Sequence, residues 1–367
     1  MISPNDLLKT FLDNDINFFT GVPDSVLKNL TTLFNNKRLN HIVAVNEGSA
    51  VAIAIGSYLR THKVPVVYMQ NSGLGNAINP LVSIADNNVY DIPLIILIGW
   101  RGAPDIDDEL QHYKMGEITI NLLNLLGINY VILNKASDLN KLKKKIIYIK
   151  KKKKSLAILI KNKILSKPAN IDIKEKINPH ISRYKSLELI LPMIKKYFIF
   201  STTGYTSREI LKITEKKNLE LKCFYNVGGM GHVSSLNLGF INSLSPKVKS
   251  ICIDGDGSFL MHLGSIHTAG SIKNKNFKHL LFNNFSHLSV GGKKTYSENI
   301  DINLLIKSLG YRSYYKLNNF KNLKKIFSKF LLTSGPCLLE IQCNSEVIEN
   351  LPRIKRFTKV YDRFTKK

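Results

Sequence analysis

SICIDGDGSFLMHLGSIHTAGSIKNKNFKHLLFNN, residues 250–284, reads as strand, turn, helix, strand and turn. SICID is a short β-branched apolar run that stops at Gly255-Asp256-Gly257, and such a run bounded by turn residues is how a buried strand looks in sequence. A helical stretch follows, and HLLFNN is the next strand, closed by Asn283-Asn284. Both polar turns therefore fall at the carboxyl ends of strands, where open parallel sheets bind their ligands. Gly-Asp-Gly alone says little, because Asp-Gly turns after strands are common. The pair of turns, with 25 residues between them, is far more specific.

The same alternation runs through the whole chain. In the first half INFFTG, HIVAV, VPVVYMQ, IPLIILIG, YVILN and SLAILIK read as strands. Helices are expected over PNDLLKTFLDN, Asp24 to Phe34, Gly48 to Leu59, a segment after Leu74, Gly116 to Leu126, and Ser137 to about Lys154. YFIFST, KCFYNV, VKSICIDG, HLLFNN and PCLLEIQC are the strands of a second set. Strands separated by helices imply an α/β fold with parallel sheets and crossover helices. Between Lys161 and Tyr184 the sequence is polar, carries two prolines and shows no sustained period, which places a linker there. The expected organisation is a domain over 1–165, a linker over 166–184 and a second domain over 185–367.

The 367 residues carry 53 Lys+Arg against 27 Asp+Glu, a formal charge of +26. Such an excess suggests a polyanion partner, because clustered cations neutralise phosphates and release counterions. Yet only 9 of the 53 are Arg, and Asn and Ile are also abundant. Those are residues of A+T-rich codons, so compositional drift accounts for most of the excess. The densest stretch, Lys141 to Lys167, holds twelve Lys and no acid. It reads first as a solvated helix end, where cations suit the macrodipole, and second as an anionic-surface contact. No stacking aromatics interleave with it, as a single-strand nucleic-acid platform would need, so a nucleic-acid-binding protein is a minor alternative. No secretory leader pattern opens the chain, and no apolar run approaches a membrane span. Cys223, Cys252, Cys337 and Cys343 sit singly in apolar stretches, as core thiols of a cytoplasmic protein would.

The Gly-Asp-Gly and Asn-Asn pair resembles the signature of thiamine diphosphate enzymes. By that resemblance Asp256, Asn284 and the Ser286 carbonyl are the protein's ligands to Mg²⁺, hard oxygens for a hard cation. Gly255, Gly257 and Ser258 would lie against the diphosphate, where glycines and a helix N-terminus admit phosphate oxygens. The resemblance also requires a carboxylate against the aminopyrimidine ring, and Glu47, between HIVAV and the next helix, holds that place. Taken alone, Glu47 would be a surface residue compatible with the helix dipole. In FYNVGGMGHVSS, Met230 resembles the apolar wedge under the bent cofactor and the Gly228 carbonyl the acceptor for its amino group. Without the resemblance, Met230 would be loop or core filler.

GVPDS (21–25), VNEGSAVAIA (45–54), VVYMQNSGLGNAINPL (66–81), LIGWRG (97–102), STTGYTSRE (201–209), GGMGHVSSLNLG (228–239) and HLSVGG (287–292) narrow this to the phosphonopyruvate decarboxylases, with sulfopyruvate decarboxylases as near relatives. The resemblance spans nearly the whole chain. It implies two thiamine diphosphate-binding-fold domains, pyrimidine-binding then diphosphate-binding, with no central third domain. It implies thiamine diphosphate and Mg²⁺ as cofactors, a small anionic 2-keto acid as substrate, and a homodimer or higher homo-oligomer with sites at the subunit interface. Arg101, Asn71 and Ser72 are the expected substrate-binding residues, because an Arg fork and turn N–H groups suit phosphonate and carboxylate. Asp24, His112 and His287 are expected catalytic residues alongside Glu47, although Asp24 could equally be a cap. Leu288 stands where the resemblance leads one to expect an acid, and Lys293-Lys294 where a less basic pair is usual. A carboligase of the acetolactate synthase type would use the same cofactor residues, and the missing central domain argues against it.

Overall fold

The computed structural model describes residues 1–35, 39–167, 181–243 and 248–365. Contacts divide it into two compact units, Met1–Ile173 with Ser289–Lys293, and Lys174–Leu288 with Lys294–Lys367. Most of the linker expected over 166–184 lies outside the described residues.

The first unit contains β1 (Phe18–Gly21), β2 (Asn40–Val43), β3 (Val66–Gln70), β4 (Ile95–Trp100), β5 (Asn129–Leu133) and β6 (Leu156–Lys161). They form one parallel sheet in the order β2-β1-β3-β4-β6-β5. Every residue of β4 is buried, because crossover helices cover both faces of a parallel sheet. Alternate residues serve opposite layers. Val66, Tyr68, Ile95 and Leu97 pack with Phe11, Leu27 and Ile146, while Val67, Met69, Ile96 and Ile98 pack with Val51, Ala54, Leu74 and Leu123.

The second unit contains β7 (Phe198–Ser201), β8 (Lys222–Tyr225), β9 (Ser250–Gly255), β10 (Lys278–Asn283), the two-residue β11 (Ser286–His287) and β12 (Lys293–Lys294), β13 (Ser313–Leu317) and β14 (Cys337–Gln342). Its parallel sheet runs β13-β14-β10-β9-β7-β8, and β11 pairs with β12. Phe282 pairs with Gly255, so the two loops that decided the fold leave adjacent strands side by side.

Three expectations need correction. The helix expected from Asp24 to Phe34 shrinks to Lys28–Thr31 and a 3-10 turn over Thr32–Asn35, because the Asp24 carboxylate accepts from the N–H groups of Val26 and Leu27 and bends the chain into a turn. The helix expected from Gly116 starts at Leu110. The edge strand β13, SYYKL, has no β-branched residue and was missed. All four cysteines are free and buried, as expected of core thiols. Lys150–Lys152 close the helix Asp138–Lys152, with Lys153 left-handed at its end.

The helix Leu110–Leu125 is held against the end of β4 by close backbone approach. A Cβ on Gly116 would lie 1.7 Å from the Gly102 carbonyl oxygen, and the Trp100 indole N–H donates to the Gly116 carbonyl at 3.0 Å. Gly116→Ala is expected to lower unfolding free energy by about 2–3 kcal/mol in urea titrations, because rigid backbone must move. A gain of about 1 kcal/mol, the helix-propensity effect, would show instead that the loop yields freely.

Candidate active site

At the carboxyl edge of the second sheet, Asp256 is buried in the first turn of the short helix Asp256–Met261. Its Oδ2 accepts from the hydroxyls of Thr295 at 2.5 Å and Ser297 at 3.3 Å, which leaves Oδ1 without those donors. The Asn284 side-chain amide reaches that atom. One of its terminal atoms lies 3.0 Å from Asp256 Oδ1 and 3.0 Å from the Ser286 carbonyl oxygen, and as NH₂ it donates to both. The opposite amide rotamer would present its oxygen there instead, grouping three acceptors. The residue between Asn284 and Ser286, Phe285, is buried and left-handed with φ of 61°, a conformation that costs a bulky residue about 1–3 kcal/mol and persists where the surroundings impose it.

Such an arrangement of oxygens suits a cation. Ligands at about 2.1 Å in an octahedral Mg²⁺ shell lie about 3 Å apart at neighbouring vertices. With protein groups alone, burial pushes the Asp256 carboxyl up to about 6, against hydrogen bonds from Thr295, Ser297 and backbone N–H groups. A divalent ion would reverse that direction.

The other expected cofactor residues gather round the same loop. A Cβ on Gly257 would meet the His287 ring at 2.7 Å and the Met230 methyl at 3.4 Å, so His287 and Met230 both abut this glycine. The Ser258 hydroxyl accepts from the Gly231 N–H at 3.1 Å, tying the Gly228–Gly231 loop to the start of the helix. Asn226 supports that loop by donating to the Gly229 carbonyl at 2.5 Å, and Gly228 is left-handed with φ of 78°. Burial pushes the His287 imidazole down to about 4, so the ring is neutral at pH 7.

At the strand ends of the first unit, Glu47 opens the helix Glu47–Thr61, whose first turn is capped by Asn46 accepting from the Ser49 N–H at 2.8 Å. Its side chain is buried. Oε2 accepts from the Asn76 amide at 2.8 Å, and Oε1 lies where a Cβ on Gly73 would come within 2.5 Å. The glycine in QNSGLGN therefore makes room for this carboxylate. Asp24 is buried and closes the turn described above through its Oδ2, while its Oδ1 has no hydrogen-bond partner, and burial raises its pKa.

The structure gives the expected substrate-binding residues more local work than the sequence suggested. The Asn71 amide donates to the Arg101 carbonyl at 2.9 Å and to Thr119 at 3.0 Å, and its oxygen accepts from the Arg101 N–H at 3.1 Å. It is a brace between strand ends. Arg101 is likewise engaged. Nε donates to Asp108 at 2.7 Å, Nη2 to Asp108 and Glu109, and Nη1 to Ser25, which leaves one of the five guanidinium N–H groups. Ser72 stays exposed, its hydroxyl accepting from Gln70. Burial works against the Asp108 carboxylate, but Arg101 and the Gly102 N–H hold it below the usual range. Asp108, Glu109 and His112 bring ligand atoms within 4.8 Å of one another, and the Arg101 guanidinium already supplies their positive charge.

Sequence reasoning missed Thr295, Ser297 and Asn76. The first two lie in the polar run KKTYSEN, which has neither the glycines nor the strand signal that drew attention to the neighbouring loops. Asn76 follows Gly75 within QNSGLGN, and its i+2 spacing from Leu74 gives no hint that it reaches Glu47.

Compared with known proteins, residues 5–133 match the N-terminal TPP-binding domain of the thiamine pyrophosphate enzymes, and residues 205–341 match their C-terminal TPP-binding domain. The chain is 29% identical to a phosphonopyruvate decarboxylase of Streptomyces viridochromogenes, covering 97% of this chain and 92% of that protein. It is 26% identical to a sulfopyruvate decarboxylase of Methanosarcina acetivorans, covering 90% and 88%. It is 30% identical to the sulfopyruvate decarboxylase subunit beta of Methanococcus maripaludis, covering 50% of this chain and 96% of that subunit.

Burial first, and the Arg101 charge second, push His112 down from 6.5 to about 4. The folded value lies below the unfolded one, so stability gained by keeping the ring neutral is fully present above pH 6.5 and is lost as pH falls toward 4. Between pH 7.5 and pH 5 the wild type should therefore lose more unfolding free energy than His112→Gln, measured by urea titration. Equal losses would show that this imidazole does not titrate with folding.

Proposed function

The chain belongs to the thiamine pyrophosphate enzymes and is a carboxy-lyase of the phosphonopyruvate and sulfopyruvate decarboxylase type, and from that premise we propose that it decarboxylates 3-phosphonopyruvate to phosphonoacetaldehyde and CO₂ in phosphonate biosynthesis. The observation that carries the reading is the convergence of the Asp256 carboxylate, the Asn284 amide and the Ser286 carbonyl beside Gly257, Met230 and His287. Thiamine diphosphate, when bound, supplies a nucleophilic carbon and the electron sink for the pair left behind by CO₂.

The chain's residues do the rest. Asp256, Asn284 and the Ser286 carbonyl would hold Mg²⁺, and Gly255, Gly257 and Ser258 would admit the diphosphate. Glu47, with only Oε2 engaged by Asn76, would hold the aminopyrimidine ring by a hydrogen bond to its carboxylate. The Gly228 carbonyl would accept from the ring's amino group, and Met230 would lie against the cofactor. His287 and His112, both neutral at pH 7, are able to take up a proton from water and deliver it to the carbon that loses CO₂. Asp24, with its orphan oxygen, is the carboxyl group suited to relay it. Ser72, the last N–H of Arg101 and buried Lys293, whose ammonium burial lowers to about 8, are the donors for an anionic 2-keto acid. Two subunits of a homodimer, or a higher oligomer, complete each site.

The match over 97% of this chain, against 90% for the single-chain sulfopyruvate decarboxylase, favours phosphonate over sulfonate as substrate. With Mg²⁺ and thiamine diphosphate supplied, aldehyde formation from phosphonopyruvate should outpace that from sulfopyruvate, and the reverse order would overturn the substrate assignment. Glu47→Gln should lower kcat by about 10²-fold or more, the scale of a lost proton-transfer group, while cofactor still binds. Near-normal turnover would remove Glu47 from this role.

A further inference from the structure

Away from the strand ends, the second unit holds a cavity of about 390 Å³, a volume at which small-molecule sites begin. Its floor is β8, the edge strand, where Leu221, Cys223 and Tyr225 are buried. Burial pushes the Cys223 thiol up to about 12, so this floor is uncharged. One wall is the last half of the helix Tyr205–Lys216, and the other is the segment from Arg353 to Arg363.

That segment is not a loose tail. The helix Phe357–Thr365 is pinned by buried Phe364, whose ring meets those of Phe198, Phe200 and Phe224 with centroids 5.2–5.6 Å apart. Lys359, Val360 and Arg363 recur at the spacing of one helix face, and this is the face that lines the cavity. Arg353, Lys355 and Arg356 reach it from the preceding turn.

Five cations line the cavity and Glu215 is the one acid among its lining residues. Among the described residues Lys355, Arg356, Lys359 and Arg363 join no ion pair. Three of the chain's nine Arg fall within the eleven residues 353–363. Like charges that converge on one concavity repel, and a bound anion relieves them. Arginine offers the planar fork that matches phosphate oxygens.

We propose that this cavity is a binding site for a small organic phosphate of nucleoside-monophosphate size, its phosphate held by Arg356 and Arg363 and its apolar body resting on the β8 floor. No residue of the decarboxylation site lines it, so the proposal stands apart from the reading of that site.

Isothermal titration of the intact chain, saturated with thiamine diphosphate and Mg²⁺ so that the cofactor site is closed to the probe, tests it with AMP, adenosine and inorganic phosphate. AMP should bind one-to-one, adenosine should not bind, and phosphate alone should bind at least about tenfold more weakly, the loss of about 1.4 kcal/mol of apolar contact. The double variant Arg356→Ala, Arg363→Ala should weaken AMP about 30-fold. The double variant to Lys keeps charge and chain length, and should recover only part of that loss. Lys143→Ala with Lys144→Ala, on a helix of the other unit, should change nothing. Absence of AMP binding, equal binding in the double Ala variant, or an equal fall in the Lys143, Lys144 control would overturn the proposal.

Discussion

The Asn284 side-chain amide, 3.0 Å from both Asp256 Oδ1 and the Ser286 carbonyl oxygen, is the contact on which the second unit's strand ends depend. With its NH₂ toward them it satisfies both, since a buried acceptor without a donor costs about 1–3 kcal/mol. The surrounding loop fixes those acceptors in place. Thr295 and Ser297 occupy the other carboxylate oxygen of Asp256, and Ser297 also donates to Asn283 at 2.8 Å, whose amide in turn reaches Glu340 at 2.8 Å. Phe285 accepts a left-handed backbone so that the Ser286 carbonyl joins the group. A cation bound there would replace that NH₂, the amide turning its oxygen inward.

Electrostatics at the strand ends follow one rule in both units. Burial drives four of the titratable groups there toward their neutral forms, raising Asp24 and Asp256 and lowering His112 and His287. The exception is the Arg101 and Asp108 pair, where a fork of hydrogen bonds keeps both charges. A charge that arrives beside such buried groups acts on them strongly, because a medium of low dielectric magnifies it.

Strand content was legible because parallel sheets covered on both faces leave continuous apolar runs, and IPLIILIG and SICID could hardly be anything else. What escaped was set by contacts distant in sequence. SYYKL lacks the β-branched signal and is a strand because β14 offers it an edge. Asp24 stops a helix through two backbone N–H groups, a local bond that amphipathic spacing does not encode. Residues in glycine-marked loops, Gly257, Met230 and Glu47, announced themselves by turn chemistry and resemblance. Thr295 and Ser297 did not, because a hydroxyl that orients a carboxylate looks in sequence like any other polar loop residue. Asn71 and Arg101 were assigned to the substrate from residue type alone, and their partners, Thr119 and Asp108, come from segments whose approach depends on the fold.

The charge of +26 separates on the same principle once the kinds of base are distinguished. Lysine is a hydrated point charge on a flexible stem and tolerates almost any exposed position, so a drifting composition can scatter it at little cost. Arginine carries a rigid fork whose worth depends on a planar partner. Three of the nine arginines show planar groups in use: Arg101 grips Asp108, Arg183 makes a buried pair with Glu209 at 2.7 and 2.8 Å, and Arg208 lies over the Tyr205 ring. The cluster of Arg353, Arg356 and Arg363 around one cavity is then the anomaly in a Lys-rich chain. The net charge as a whole says little about ligands, and the few arginines within it say much more.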